Sequence, residues 1–175
     1  MTATPTAPRP PGRPASAAAP DAPRLLADDH REVRALFASY RKLASAQAPG
    51  DERRPLAEEI CTLLTVHAAI EEEIFYPAAR AAGVDSDLLD EAAVEHASAK
   101  SLIAQIRDLE PEAPLYDAKV AVLGEYVDHH AGEEENELFP KCRAAALDLH
   151  DLGARLAARK AELMSEMSEG LDVVG

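Results

Sequence analysis

The stretch His67-Ala-Ala-Ile-Glu71-Glu-Glu-Ile-Phe-Tyr-Pro77 returns in altered form as His130-Ala-Gly-Glu-Glu134-Glu-Asn-Glu-Leu-Phe-Pro140. Each copy sets a glutamate four residues after a histidine and a proline ten residues after it. A lone histidine precedes each copy, His30 by 37 residues and His96 by 34. A repeat that carries imidazoles and carboxylates at fixed spacing has metal-ligand chemistry in it.

The segments around these residues read as helices. Leu26, His30, Val33, Phe37 and Tyr40 recur at three- and four-residue steps from Arg24 to Pro49-Gly50. Asp51 can cap a second helix, with Pro55 in its first turns and an inner stripe of Leu56, Ile60, Leu63, Leu64, His67, Ile70, Glu71 and Ile74. Gly83 ends it, and Asp85 or Ser86 caps a third helix carrying Leu89, Ala92, His96, Ala99, Ile103 and Ile106 on one stripe. A fourth starts near Pro114 and turns Tyr116, Val120, Leu123, Val127, His130, Glu134 and Leu138 inward. The sequence therefore predicts an all-α fold, an up-down-up-down four-helix bundle over residues 24–146. Residues 147–175 add a more polar C-terminal helix, Asp148 to Glu169, and a short tail, with Leu152, Leu156, Ala157 and Leu163 to pack.

Residues four apart on a helix lie about 40° round the axis and about 6 Å along it, so each His-x-x-x-Glu pair points two donors the same way. With His30 and His96 on the apolar stripes, every helix of the bundle contributes a donor. His30, His67, Glu71, His96, His130 and Glu134 are too many for one tetrahedral ion. They suit two ions bridged by the two carboxylates, each ion also holding two histidines. Imidazole and carboxylate without thiolate favour iron, with manganese and zinc as weaker candidates.

A single His-x-x-x-Glu is common by chance, and a lone core histidine is more often a hydrogen-bonded residue than a ligand. Here two pairs, two upstream histidines, matched prolines and inward stripes coincide. His129 and Glu133 share the four-residue spacing, but their helix face carries Glu125, Gly132 and Asn136. His129, Glu72, Glu73, Glu133 and Glu135 are therefore expected to face solvent, and His150 to lie on the surface. Asp29 and Glu95 each precede a lone histidine and are expected to cap a polar face rather than orient an imidazole. Tyr126, one turn before His130, is expected to pack in the core, and Pro77 and Pro140 to kink their helices.

At 175 residues the chain suits one well-buried core. Its net charge of -14 excludes a nucleic-acid surface and favours cations as partners. Two cysteines, Cys61 and Cys142, are too few for a disulfide framework and read as small buried hydrophobes. Residues 1–23 hold seven prolines and seven alanines among three charges, a composition expected to form a disordered tail. No run of apolar residues is long enough to span a membrane or to act as a secretory signal, so a cytoplasmic location is expected. No oligomeric state is legible.

Taken as a set, these motifs resemble the hemerythrin-like, or HHE cation-binding, family over roughly Arg24 to Arg143, with the segments IFYP and ELFP as further likenesses. The resemblance implies a non-heme di-iron centre, oxo- or hydroxo-bridged, within a four-helix bundle. It implies that Glu71 and Glu134 bridge, that His30 and His67 bind one iron, and that His96 and His130 bind the other. Oxygen-carrying members have a fifth histidine one turn after the third-helix ligand, where this chain has Lys100, and Arg34 holds the equivalent place after His30. The family thus implies binding or processing of O2, peroxide, nitric oxide or iron by a stand-alone scavenger, store or sensor rather than reversible oxygen carriage. A catalase-like enzyme that disproportionates hydrogen peroxide is the alternative, and no residue separates the two.

Overall fold

The computed structural model describes residues 20–172. The tail expected over residues 1–23 lies outside them up to residue 19, as do the last three residues. Helix α1 spans Ala22–Ser45. It starts two residues before the expected Arg24 because Asp21 caps it, accepting from the Arg24 amide, and Pro23 fits the first turn where its missing N–H costs nothing. Helix α2 runs over Gly50–Ile70, starting just after Pro49 rather than at the expected Asp51 cap. It passes through a π-helical turn, Glu71–Phe75, into Tyr76–Ala81. Helix α3 is Ser86–Arg107, capped by Asp85 as the sequence predicts. Helix α4 repeats the pattern of α2: Tyr116–Glu133, a π turn at Glu134–Leu138, then Phe139–Ala144. Helix α5 spans Leu149–Asp172.

Each bundle helix packs against its two neighbours, α1 on α2 and α4, α3 on α2 and α4, which is the up-down-up-down arrangement. Helix α5 lies across α1, α2 and the π turn of α2. No strand occurs among the described residues, and no helix among them is long and apolar enough to cross a membrane.

The apolar interior is in two pieces. One gathers Leu26, Ile70, Phe75, Leu89, Leu138 and Phe139 at the end where α5 adds Leu152 and Leu156. The other gathers Val33, Phe37, Tyr40, Ile60, Leu64, Ile103, Leu123 and Val127 at the opposite end. Between them lie the histidines and glutamates of the repeat. Cys61 and Cys142 are buried free thiols, as expected, and burial pushes each up to about 11.

Gly153 has a specific reason to be glycine. A Cβ there would stand 2.1 Å from the Pro20 carbonyl oxygen, so only a bare Cα lets α5 meet the start of α1.

The distortion expected at Pro77 and Pro140 takes the form of the two π turns. Proline lacks the N–H of an α turn and its ring crowds the carbonyl four residues back. Widening the preceding turn relieves this: the Tyr76 amide donates to Glu71 and the Phe139 amide to Glu134, five residues back. One extra residue per turn sets the register back by about 100°. Phe75 and Tyr76 are consequently buried, and Ile74, expected on the inner stripe, is only half-buried.

Candidate metal centre

The six predicted residues converge. His30, His67, Glu71, His96, His130 and Glu134 are all buried, and their donor atoms fall into two groups. His30, His67, Glu71 and Glu134 form one group, and Glu71, His96 and His130 the other. Nε2 of His30 lies 3.1 Å from Nε2 of His67, and Nε2 of His96 lies 3.1 Å from Nε2 of His130. One oxygen of Glu71 is 3.3 Å from both His67 and His96, so it reaches a histidine of each pair. One oxygen of Glu134 does the same, 3.3 Å from His30 and 3.7 Å from His130.

The outward nitrogens are engaged as consistently. Nδ1–H of His67 on α2 donates to Asp29 on α1 at 3.4 Å, and that of His96 on α3 to Glu72 on α2 at 2.9 Å. Nδ1–H of His130 on α4 donates to Glu95 on α3 at 2.7 Å, and that of His30 on α1 to Glu135 on α4 at 2.9 Å. Each helix thus lends an acid to the imidazole of the next, and the four links close into a belt round the bundle. An ionised carboxylate only accepts, so Nδ1 of each ring carries a proton and Nε2 is the nitrogen that faces inward, where it can share a proton or bind a cation. Cations hold three of these acids from outside: Lys160 on Asp29 at 2.6 Å, Lys100 on Glu72 at 2.6 Å and Arg34 on Glu135 at 2.8 Å.

These contacts correct several expectations. Asp29 and Glu95 orient imidazoles rather than cap a polar face, and Glu72 and Glu135, expected in solvent, do the same while only about a third exposed. Lys100 and Arg34 pin belt acids. Tyr126 is 48% exposed rather than packed in the core, because Leu123, Val127 and His130 take the centre of the α4 face and leave it at the edge. His129 and His150 are exposed as expected, and His129 sits beside Glu133 and Glu95 on the surface.

One residue of the site was not singled out by the spacing. Tyr76, turned inward by the π turn, donates its hydroxyl to Glu134 at 2.8 Å and lies within 3.4 Å of Glu71, His96 and His130. Its signal was the tyrosine before Pro77, where the other repeat has Phe139.

The electrostatics show what the donors lack. Burial disfavours a charged imidazole, yet Glu71 and Asp29 outweigh it at His67, which is pushed up to about 10. At Glu71 burial favours the neutral acid, but His67 and His96 reverse this and hold it well below the usual carboxylate range. Burial, then Glu71 and Glu134, push the Tyr76 hydroxyl well above its ordinary value, so it keeps its proton. Glu71 Oε1 and Glu134 Oε2 are buried with no hydrogen-bond partner. Inward lone pairs at 3.1 Å repel unless a proton or cation is shared between them. Imidazole nitrogens bind metals at about 2.1 Å, so two in adjacent positions on one octahedral ion stand roughly 3 Å apart. The donor set therefore fits metal ions.

On the side away from Tyr76, a cavity of about 40 Å³ lies between the imidazoles and Val33, Leu64, Ile103 and Val127. Its exposed lining residues, Lys100 and Tyr126, mark where it faces solvent.

Comparison with known proteins agrees with the helical fold. The chain is 29% identical over 126 residues to the protein Rv2633c of Mycobacterium tuberculosis, covering 70% of this chain and 76% of that one. It is 31% identical over 118 residues to a DNA nickase of Nostoc, covering 66% of this chain but 31% of that protein. The crystal structure of a hemerythrin HHE cation binding domain-containing protein from Mycobacterium kansasii, a homologue of Rv2633c, superposes with a TM-score of 0.72 at 25% identity, covering 87% of this chain and 92% of that one. The model of the hemerythrin HHE cation binding domain matches residues 21–142, and the chain belongs to that family.

Proposed function

We propose that the chain is a non-heme di-iron protein that binds or processes a small oxidant or gas, namely O2, peroxide or nitric oxide, or iron itself. The observation that carries this reading is that a single Glu71 oxygen stands 3.3 Å from a histidine of each pair. His30 with His67 would hold one ion and His96 with His130 the other, with Glu71 and Glu134 shared between them. Iron suits imidazole and carboxylate donors, and manganese or zinc would fit less well. When bound, the ions supply Lewis acidity and, for iron, a change of oxidation state.

The chain's own residues then do three things. The belt of Asp29, Glu72, Glu95 and Glu135 holds each imidazole in one tautomer and one orientation. Val33, Leu64, Ile103 and Val127 give the cavity apolar walls, and its 40 Å³ admits only molecules of a few heavy atoms. Tyr76 holds a proton at Oη beside Glu134 and the His96/His130 pair.

The second reading is a catalase-like enzyme that disproportionates hydrogen peroxide. The Tyr76 hydroxyl supports it, since peroxide chemistry can draw on a proton held beside Glu134, across the centre from the cavity. Anaerobic purification with metal analysis, then optical spectra on adding O2, peroxide and nitric oxide separately, tests both. A lasting spectral change without turnover is expected for binding, whereas oxygen release over many turnovers would favour the enzyme. A purified chain with no iron and no response to any of the three would overturn both.

A further inference from the structure

Among the acids of the belt, Asp29 is the one held by a residue from outside the bundle. Lys160 on α5 places Nζ 2.6 Å from Asp29 Oδ1, while the other Asp29 oxygen receives the His67 Nδ1–H. Asp29 is nearly buried, its side chain 10% exposed. We propose that α5 is a latch on the centre, with Lys160 a positioning residue that fixes His67 through Asp29, so that docking of α5 and metal loading reinforce each other. The proposal rests on His67 being a metal ligand.

Helix α5 begins at Leu149, beyond the family match that ends at residue 142, so this link is an addition to the matched bundle. Its counterpart in the other half is different. Glu95, which holds His130, faces His129 at 3.5 Å instead of a lysine. The underlying surface differs too: α5 packs on α2, where Val66 and Ile70 are buried, and the equivalent places on α4 are His129 and Glu133. Among the described residues, the fold therefore carries its latch on the His30/His67 half alone.

The grip of α5 is uneven. Leu152 and Leu156 are fully buried near its start, whereas Leu163 is only partly covered, so the Lys160 link lies where apolar anchoring fades. Removing Lys160 would leave Asp29 with His67 as its remaining partner. Fixing the imidazole with an ion gives Asp29 a stationary partner and Lys160 a stationary anchor, and by reciprocity docking of α5 favours the loaded centre. Arg159, next in the chain, pairs with Glu73 on the surface of α2 and touches none of the six donors. It grips the same helix without the link.

Hydrogen exchange on the full chain, loaded anaerobically with Fe(II) and stripped by a chelator, tests the latch. In the wild type the α5 amides around Lys160 are expected to exchange at least threefold more slowly when loaded. Lys160→Met should erase that gain, Lys160→Arg restore it and Arg159→Met leave it. A wild-type chain that takes up iron with equal α5 exchange in both states overturns the latch and leaves the ligand reading intact. So does a Lys160→Met chain that keeps the full gain. A chain that takes up no iron overturns the ligand reading instead. The wild-type comparison decides the matter even if the Lys160→Met chain does not fold.

Discussion

Tyr76 and Phe139 occupy the same place in the two repeats and make the centre lopsided. The Tyr76 hydroxyl reaches across to Glu134 beside the His96/His130 pair, while the Phe139 ring lies parallel to His30 with centroids 6.1 Å apart. One half of the centre thus has a proton donor and the other an apolar lid.

Tyr76→Phe keeps the ring and removes only that donor, so Glu134 Oε1 joins Oε2 as a buried acceptor without a partner. We expect a loss of about 1–3 kcal/mol in the stripped protein, read by urea unfolding. Unchanged stability would mean that the hydroxyl and Glu134 are not bonded in solution.

Glu71→Ala removes an oxygen that serves both histidine pairs. Metal per chain, measured by elemental analysis, should fall for both ions together, and Glu134→Ala should behave alike. Clean loss of one ion with full retention of the other would count against shared carboxylates.

Loading should raise the melting temperature, because the stripped centre buries two carboxylate oxygens without partners. At a free metal concentration a hundredfold above Kd, linkage adds about 2.7 kcal/mol. Calorimetry with and without chelator measures it; identical melting curves for verified loaded and stripped samples would place the ions outside the core.

Asp21 caps α1 and pairs with Arg143 at 2.8 Å, and the Arg143 bond, against a smaller burial cost, holds its pKa below the usual 3.8. Because the folded value is the lower one, its contribution is full above the unfolded pKa and is lost as pH falls through the folded pKa. At neutral pH Asp21→Ala should cost about 1 kcal/mol and Asp21→Asn, which can still cap, less. Denaturation at descending pH should show the variants converging on the wild type in strong acid; a gap that widens there would reverse the sign.

The six converging donors and the bundle were legible because helical spacing alone puts His67 with Glu71, and His130 with Glu134, on inner faces. What stayed hidden depends on local departures from that spacing. A regular α-helix would carry Tyr76 away from Glu71, and only the π turn before Pro77 brings it back. The belt was hidden because each acid serves the neighbouring helix, although Asp29 with Glu95 and Glu72 with Glu135 recur at matching places. The seat of α5 had a trace in Ile70, apolar where the second repeat has Glu133.

The layer of imidazoles and acids divides the greasy interior into two knots joined across a hydrophilic waist. Neither knot spans that waist, so if iron is the ion it holds, as proposed, a newly made chain in an iron-starved cell would offer proteases a weak middle. The amount of the protein would then follow the iron supply without any dedicated sensor, through nothing more than the lifetime of the unfilled chain.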